Sequence, residues 1–509
     1  MSAENIQLLF PLIITLVAPF VILLTGKNQN VREGVSFVAA ALAFLCVARF
    51  IPDVLAGTIY YYDLFTILPG ITVSFCLDGL GIIFALIAPF LWCFATSYNI
   101  GYMRSLKEHA QTRYYFCFAV AIFGALGVAM SANVFTLYLF YEIISVFTYP
   151  LVAHHEDEEG FAGAKKYMVY LMGTSKLFLL PAMGLTYALV GNLDFNLTDM
   201  VHGIFINADG SYKTALAAQN PWLIQLTYVL YIAGLAKAAL MPFHNWLPSA
   251  MVAPTPVSAL LHAVAVVKAG VFSVSRVILS GFGSQTMHDL GLSLPTAYVA
   301  AFTIVAASLI ALTKDDIKAR LAYSTVSQLS YVVIGVALIG SLSTGDPNTS
   351  SVQGGLLHIG NHAFGKITLF FGAGAIYVAT HLKAISKMNG LGRQMPWTFG
   401  AFGLASLTMI GMPPVAGFVS KWYLLNGAMS AGQIVLLVAL LCSTILNAGY
   451  FVPIFYRAFF LKPDPEANIE QYKEAPLTMV VPLVFTSIVS LLLGLYPQIF
   501  QNFIQAFMR

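Results

Sequence analysis

The stretch KAALMPFHNWLPSAMVAPTPVSALLHAVAVVK, residues 237–268, is the most informative part of this chain. Apolar residues dominate it, yet it holds four prolines and begins and ends with a lysine. Proline removes a backbone donor and breaks a helix interior. The stretch therefore predicts a membrane-spanning helix that is interrupted just past Lys237 and followed by a second helix that carries Lys268.

The composition of the whole chain fits a membrane protein and excludes a soluble one. Of the 509 residues, 59% are hydrophobic and only 9% are charged, whereas soluble domains carry about 25% charged residues. At about 20 apolar residues per span, the hydrophobic residues allow at most about 15 spans. Glu4 and the lack of a basic segment favour a first span over a cleaved signal peptide.

Apolar runs separated by polar residues predict an all-α polytopic membrane protein of about 14 transmembrane helices. The predicted spans lie at 6–26, 33–51, 76–98, 114–132, 134–153, 167–190, 222–243, 257–281, 295–313, 321–341, 352–380, 397–425, 431–460 and 477–506. Most of the 25 Lys and Arg residues fall in alternate loops, beginning with the loop after the first span. Because such loops face the cytoplasm, both termini are expected on the opposite side of a cell inner membrane.

Several charged residues fall inside the predicted spans, where the bilayer opposes them. The deep ones are Lys176, Lys237, Lys268, Lys366, Lys421 and Glu142. A charge at the bilayer centre costs about 2.5–3.5 kcal/mol on insertion scales, so such residues indicate a path for ions or protons. Buried ion pairs that lock helices together are the alternative, but one carboxylate cannot neutralise five lysines. Arg276 lies late in its span, from where its side chain can reach the membrane interface.

Protons suit this set of residues better than other ions. Burial disfavours the ammonium form of a lysine, whereas a neighbouring carboxylate such as Glu142 favours it. A lysine that approaches and leaves Glu142 can therefore take up and release a proton.

Three basic residues line one helical face in LLHIGNHAFGK. His358, His362 and Lys366 are spaced i, i+4, i+8, and two imidazoles followed by an amine suit a proton relay. Histidines at this spacing could also bind a metal, or they could be core residues whose ring nitrogens are all hydrogen-bonded. Because no carboxylate accompanies them, we expect a relay and no metal ligands.

A second interrupted span is predicted in MIGMPPVAGFVSKW, just before Lys421. Broken spans at matching positions of two halves point to a transport site, and packing kinks in ordinary helices are the alternative. Shifting the chain along itself by 182 residues aligns Tyr141 with Tyr323, and shifting it by 190 residues aligns Lys176 with Lys366. Both matches support two five-helix repeats. An odd number of spans per repeat requires the second repeat to be inverted.

The predicted spans divide the chain into four parts. These are the N-terminal helices at 1–113, a first five-helix repeat at 114–281, a second, inverted repeat at 295–460 and a C-terminal helix at 477–509.

Other motifs exclude cofactors and nucleic acid. The five cysteines form no CxxC pair, and neither a Walker loop nor a GxGxxG loop occurs, so we expect no cofactor. A net charge of +3 without a dense basic stripe does not fit a nucleic-acid binder. The run HHEDEE, from His154 to Glu159, could chelate a metal, but a solvated charge run on a cytoplasmic loop is the simpler interpretation.

The chain resembles the antiporter-like membrane subunits shared by respiratory complex I, membrane-bound hydrogenases and Mrp-type cation/proton antiporters. The resemblance covers nearly the whole chain and rests on CLDGLGIIF, YEIISVFTYPL, AKAALMPFHNWLPSA, DIKARLAYSTVSQLSYV, HIGNHAFGK and PPVAGFVSKW. It implies 14 spans, two inverted five-helix repeats and broken helices 7 and 12.

The resemblance also implies a proton pathway, residue by residue. Glu142 is similar to the glutamate of span 5 in the family, and Lys237 to its lysine partner in span 7. The further positions are the central lysine Lys268, the linking histidines His358 and His362, and the terminal lysine Lys421. Lys176 departs from the family pattern, and it either supplements or replaces Lys237 as the partner of Glu142.

The expected function is therefore that of a proton-translocating subunit in a multi-subunit complex, with Na⁺/H⁺ antiport left open. The chain looks most like the D-type subunits of Mrp antiporters, since Lys421 stands where one complex I paralogue carries a glutamate. The alternatives are a proton-pumping subunit of a complex I-like NADH:quinone oxidoreductase or hydrogenase, a redox or quinone enzyme, and a scaffold without transport. Expected partners are other membrane subunits, lipid, protons and Na⁺. Whether the chain counts as an enzyme stays open.

Overall fold

The computed structural model describes residues 2–463 and 471–509, and most of these residues are helical. The α-helices are α1 (Leu9–Leu24), α2 (Gln29–Ala48), α3 (Ile51–Leu55), α4 (Gly79–Ser105), α5 (Gln111–Ala129), α6 (Val134–Val152), α7 (Glu158–Thr174), α8 (Leu180–Val190), α9 (Ala215–Gln219), α10 (Pro221–Gly234), α11 (Trp246–Ser249), α12 (Thr255–Ala259), α13 (Val266–Arg276), α14 (Gly283–Asp289), α15 (Ser293–Thr313), α16 (Ile317–Ala337), α17 (Thr349–Thr380), α18 (Pro396–Ile410), α19 (Ala416–Ser430), α20 (Ile434–Phe460), α21 (Leu477–Leu495) and α22 (Gln498–Met508).

Short helical turns extend or join several of these helices. The π-helical turns are Ser175–Leu179, Leu260–Val264 and Val277–Phe282. The 3₁₀ turns are Ile6–Leu8, Ala236–Ala238, Ala250–Val252, Leu338–Gly340, Ile385–Lys387 and Leu391–Arg393. One π-helical turn joins α7 to α8, and the other two join α12, α13 and α14 into the continuous helix Thr255–Asp289.

Within the described ranges, 12 helices are long and apolar enough to cross a membrane. They coincide with twelve of the predicted spans, so the polytopic all-helical fold class is confirmed. The remaining predicted spans, at 222–243 and 397–425, consist of shorter helices interrupted by irregular backbone. The total of 14 spans therefore stays a prediction.

The first interruption lies where the prolines after Lys237 predict it. Helix α10 ends at Gly234, a 3₁₀ turn follows, and Ala239 has a φ of 55°, a left-handed conformation that breaks the helix. The indole nitrogen of Trp246 donates to the carbonyl of Ala236 at 3.0 Å. This bond satisfies a backbone oxygen that the broken helix leaves free.

The second interruption separates α18 from α19. Gly411 has a φ of 86°, which glycine adopts without a steric penalty. A Cβ atom on Gly417 would lie 1.7 Å from the carbonyl oxygen of Thr408. Only a glycine at position 417 therefore allows the start of α19 to pack against the end of α18.

A small sheet is present that the sequence did not predict. Strand β1 (Ser2–Glu4) pairs in parallel with β2 (Ile59–Leu68), and β2 pairs antiparallel with β3 (Ile71–Leu77). The predicted third span, 76–98, consequently begins later, at Gly79, where the side chain of Asp78 accepts a hydrogen bond from the amide of Gly81 and caps the helix.

The loops that were predicted to share one side of the membrane meet in the structure. A cavity of about 670 Å³ is formed by residues of five such loops or their flanking helix ends, represented by Leu106, His155, Ser249, Asp316 and Leu382. The span Thr255–Asp289 is buried except at its end, whereas most residues of the spans Ile6–Leu24 and Gln29–Leu55 are exposed or only partly buried. The helix that carries Lys268 is therefore shielded on all sides by the rest of the chain.

Candidate functional site

A lysine–histidine contact lies at the centre of the molecule. Lys268 on α13 and His362 on α17 are both fully buried, and the Nζ atom of Lys268 lies 2.6 Å from Nδ1 of His362. The two residues are 94 positions apart in the sequence. This contact joins the two predicted repeats.

The histidine face predicted on α17 continues from this contact. The ring centroids of His362 and His358 are 6.0 Å apart. The ring of His358 also lies between two polar side chains, with Nδ1 2.9 Å from the hydroxyl of Ser420 and Nε2 3.0 Å from the amide oxygen of Gln328. His358 thus links α17 to α19 and α16.

Lys421 lies at the far end of this row, against the second interruption. Its Nζ atom donates to the carbonyls of Met409 at 3.0 Å and Ile410 at 2.8 Å. These carbonyls end α18, where the partial negative charge of a helix favours a cation. The side-chain amide of Gln328 donates to the same carbonyl of Met409 at 3.3 Å.

The side chains from Lys268 to Lys421 therefore form one buried line, which we call the central line. Its members are Lys268, His362, His358, Gln328 and Lys421, with the hydroxyl of Ser420 and the carbonyl of Met409 between them. Proton exchange along the line requires two further links. One joins the two imidazole rings, and the other joins His358 to Lys421, because the amide of Gln328 and the carbonyl of Met409 do not pass on a proton.

Lys366 lies beside the central line rather than in it. Its Nζ atom donates to the hydroxyl of Ser324 at 2.9 Å and to the carbonyl of Leu321 at 3.1 Å. The hydroxyl of Tyr450 donates to Ser324 at 3.0 Å. Lys366 thus reaches α16 and α20 while extending the histidine face by one helical turn.

Glu142 pairs with Lys176 in the first repeat. The Nζ atom of Lys176 lies 2.8 Å from Oε2 of Glu142 and donates to the hydroxyl of Tyr138 at 2.7 Å. The side chain of Lys176 is 45% exposed, whereas that of Glu142 is 13% exposed. The pair therefore lies at the surface of the span region, away from the buried centre.

Lys237 forms no hydrogen bond or ion pair with Glu142, so the structure gives Glu142 a different lysine partner from the one that the family resemblance implies. Its Nζ atom donates to the carbonyl of Tyr141 and the hydroxyl of Ser145, both at 2.7 Å, and lies 3.1 Å from the centroid of the Tyr141 ring. Tyr141 and Ser145 share one face of α6, whereas Glu142 projects from a neighbouring face. Because the first interruption approaches the former face, Lys176 is left as the partner of Glu142.

The gap between Lys237 and the central line is closed by direct backbone packing. A Cβ atom on Gly270 would lie 2.2 Å from the carbonyl carbon of Lys237 and 2.3 Å from the amide nitrogen of Ala238. The helix that carries Lys268 therefore touches the first interruption, and glycine permits that approach.

Arg276 pairs with an acidic residue inside the protein, which the sequence did not predict. It is fully buried, and its two terminal nitrogens donate to the two carboxylate oxygens of Asp78 at 2.6 and 2.7 Å. Because a bidentate pair satisfies both charged groups, the arginine is held inside the protein. It fixes α13 to the start of α4 and contributes no free charge to the central line.

One polar member of the central line and one polar residue outside it are absent from the sequence predictions. Gln328 was overlooked although glutamine is unusual inside an apolar span. His262 is fully buried, its ring centroid lies 4.6 Å from that of Phe370, and neither ring nitrogen has a hydrogen-bond partner among the described residues. The signal for His262 was a lone histidine within the predicted eighth span.

The run His154 to Glu159 is only partly the solvated segment that was predicted. Residues 155–159 are exposed, but the side chain of His154 is fully buried. Burial lowers the pKa of His154 to about 4, while Glu108 acts in the opposite direction. Glu108, 46 residues earlier in the chain, approaches both His154 and His155.

The fold and this site define a polytopic membrane protein in which two interrupted helices hold buried lysines around a histidine-bearing helix. The family model described as "NADH:quinone oxidoreductase/Mrp antiporter, TM" matches residues 131–447, more than half of the chain. The chain belongs to this family, which confirms the resemblance seen in its motifs.

Two relatives show how far the similarity extends. NADH-quinone oxidoreductase subunit N of Desulforudis audaxviator is 31% identical over 521 residues, which cover 97% of each protein. Na⁺/H⁺ antiporter subunit A1 of Staphylococcus aureus is 30% identical over 453 residues, which cover 85% of this chain. The chain spans only 54% of the length of that second relative.

Two solved structures share the fold. A chain of the Mrp complex from Dietzia sp. DQ12-45-1b matches with a TM-score of 0.83 and 20% identity, covering 99% of this chain and 96% of that chain. A chain of the membrane-bound sulfane sulfur reductase, an archaeal respiratory membrane complex, matches with a TM-score of 0.81 and 22% identity, covering 98% of this chain and 96% of that chain.

Proposed function

We propose that the chain carries protons across a membrane as one component of a larger complex, most like the D-type subunits of Mrp antiporters. The observation that carries this proposal is the central line from Lys268 to Lys421. A row of buried lysines and imidazoles has little value for stability, because each charged form is costly inside a membrane. The same groups can bind and release protons, and the two lysines lie at the ends of the line with the two imidazoles between them.

The contacts suggest how a proton moves. The ammonium of Lys268 can give a proton to Nδ1 of His362, which lies within hydrogen-bonding distance. Transfer from His362 to His358 needs a bridging water or a ring rotation, because their centroids are 6.0 Å apart. Gln328 and Ser420 orient the ring of His358, and Lys421 ends the line at the second interruption.

The first repeat supplies a charge pair that can change the proton affinity of the centre. Lys176 holds Glu142, and Lys237 lies one face further round α6. If Lys176 leaves Glu142, the unpaired carboxylate of Glu142 favours the ammonium form of the nearest lysine. Lys237 lies where it can take up a proton in response to this carboxylate. Its backbone contacts the helix of Lys268 at Gly270.

The exposure of this pair also supports the proposal of partner subunits. Lys176 is 45% exposed at mid-span, where contact with lipid would be costly for a charge. Another membrane subunit packed against α6 and α7 would cover it. Both solved structures that share the fold come from membrane complexes.

Topology and domain organisation follow from the same proposal. We place the helices of 1–113 before a first repeat at 114–281, a second, inverted repeat at 295–460 and a final segment at 477–509. The contact of Lys366 with Ser324 in the second repeat corresponds to that of Lys176 with Glu142 in the first. The two lysines occupy matching positions, and so do Ser324 on α16 and Glu142 on α6. The basic loops would face the cytoplasm, and both termini the other side of the inner membrane.

The test measures proton flux in vesicles that contain the assembled complex. Lys268→Met and His362→Gln interrupt the central line and should each abolish most of the flux, as should Glu142→Ala. His202→Gln, in a loop outside the spans, serves as the matched control. Full flux in the Lys268 and Glu142 variants would refute the proposal, and active, more stable variants with leucine or methionine at the buried lysines would favour a scaffold.

A redox-driven pump is the second candidate, because the relative that matches over 97% of its length is a subunit of NADH-quinone oxidoreductase. The two candidates differ in what drives the protons. Purifying the complex from its native membrane and adding either a Na⁺ gradient or an electron donor separates them. Flux that follows Na⁺ favours the antiporter, whereas flux that follows electron transfer favours the redox complex.

A further inference from the structure

Two short loops meet beside the 670 Å³ cavity and bring a glutamate and three histidines together. The loop between α4 and α5 supplies Glu108 and His109, and the loop between α6 and α7 supplies His154 and His155. We call these four residues the loop cluster. None of them takes part in the central line.

The ligand atoms of the loop cluster lie close enough together for small side-chain movements to place them around one ion. Glu108 Oε2 lies 3.7 Å from Nε2 of His154, and Glu108 Oε1 lies 3.7 Å from Nε2 of His155. Ligand atoms of Glu108, His109 and His154 all lie within 4.8 Å of one another. A direct hydrogen bond would need about 2.7–3.2 Å, whereas tetrahedral zinc with bonds of about 2.0–2.1 Å spaces its ligand atoms about 3.4 Å apart.

His154 provides a second, independent observation. Its side chain is fully buried, and neither ring nitrogen has a hydrogen-bond partner among the described residues. Buried polar atoms without a partner are rare in proteins and require an explanation. A metal ion bound by one of these nitrogens supplies the missing partner.

Neighbouring charges permit a cation here. Arg113 donates to the backbone carbonyl of His154 at 3.2 Å, and its charge is paired with Glu156. The Nζ atom of Lys318 donates a hydrogen bond to the carbonyl of Ala253 at 2.5 Å. Acidic side chains line the adjoining cavity and would attract a divalent ion, namely Asp157, Glu159 and Asp316.

We propose that the loop cluster binds a divalent transition-metal ion of the zinc type, held by Glu108, His109 and His154, with His155 as the fourth ligand. Imidazole and carboxylate are ligands that zinc accepts, and four of them complete a tetrahedral site. The ion would tie the loop after α4 to the loop after α6, the helix that carries Glu142. This inference does not depend on proton transport.

The experiment titrates Co²⁺ into the purified complex, which is isolated with an affinity tag free of histidine and first treated with a chelator. We expect one Co²⁺ per chain, the intense visible absorption of a tetrahedral cobalt site, and loss of that absorption when equimolar Zn²⁺ is added. His109→Gln alters an exposed side chain and should fold normally. It and His154→Gln should each weaken binding more than about 100-fold, because loss of outer-shell partners alone costs 10–100-fold.

His381→Gln is the matched control, since His381 lines the same cavity without belonging to the loop cluster. Unchanged cobalt binding in this variant, together with loss in the His109 variant, supports the site. Equal binding by the wild type and the His109 and His154 variants would overturn the proposal. Absence of a tetrahedral cobalt spectrum in the wild type would overturn it as well.

Discussion

Lys176, rather than Lys237, forms the ion pair with Glu142, with 2.8 Å between Nζ and Oε2. The difference arises from the faces of α6. The first interrupted helix approaches the face that bears Tyr141 and Ser145, whereas the π-helical turn that contains Lys176 approaches Glu142. Glu142 thus has a lysine partner, but a different helix supplies it from the one that the family resemblance implies.

Exchanging the two charges of this pair tests its existence. Glu142→Lys alone places two ammonium groups in contact and should destabilise the complex by about 0.5–3 kcal/mol, the usual coupling of contacting residues. Adding Lys176→Glu should restore thermal stability. Adding Lys237→Glu instead should not restore it. If Lys237→Glu restored thermal stability and Lys176→Glu did not, Lys237 would be the partner of Glu142, as the family resemblance implies.

Arginine substitutions separate proton transfer from positive charge. Lys268→Arg and Lys421→Arg keep the charge, but arginine does not lose a proton in proteins. We expect normal assembly and a fall in proton flux of about 100-fold or more, the lower range of what positioned acid–base groups contribute. Lys27→Arg, on an exposed loop, should leave flux unchanged. Normal flux in both buried variants would mean that only the charge matters.

The Asp78–Arg276 pair should be structural. Asp78→Asn preserves the N-cap of α4, because asparagine caps as well as aspartate, but it leaves Arg276 buried without a counter-charge. Removing one partner of a buried pair costs about 3–5 kcal/mol. The purified complex should melt at a clearly lower temperature than the Asp63→Asn control, which alters an exposed carboxylate. Equal melting temperatures would contradict the assignment.

The close approach of α13 to the first interruption should tolerate no side chain. Gly270→Ala places a Cβ atom 2.2 Å from the backbone of Lys237, and overpacking of this kind costs about 1–3 kcal/mol. Both stability and proton flux should fall. Gly184→Ala is the matched control, since a Cβ there meets nothing within 4 Å. Equal effects of the two substitutions would show that the approach is not needed.

Local signals explain why so much of the fold could be predicted. A bilayer requires every spanning backbone to satisfy its own hydrogen bonds, so apolar length alone reveals the helices. Proline and glycine mark the two interruptions for equally local reasons. The spacing of His358, His362 and Lys366 fixes their common face once α17 is known to be helical.

The hairpin of β2 and β3 was not predicted, because most of it lies in the connection between the predicted second and third spans. Most residues of β2 are exposed and most residues of β3 are buried. This arrangement depends on the helices around the hairpin. The loop cluster was missed for a related reason. The run His154 to Glu159 offers histidines and acids, but Glu108 and His109 join it only after folding.

Membrane-spanning helices, the two interruptions and the lysines and histidines of the central line could be predicted from the sequence, because each prediction depends on residues close together in the chain. Which of these residues meet depends on the packing of the helices. Lys268 reaches His362 across 94 positions and Arg276 reaches Asp78 across 198. Such contacts depend on how each helix is rotated about its axis relative to its neighbours. Tyr141 and Glu142 are adjacent on α6, yet Lys237 contacts Tyr141 whereas Lys176 contacts Glu142.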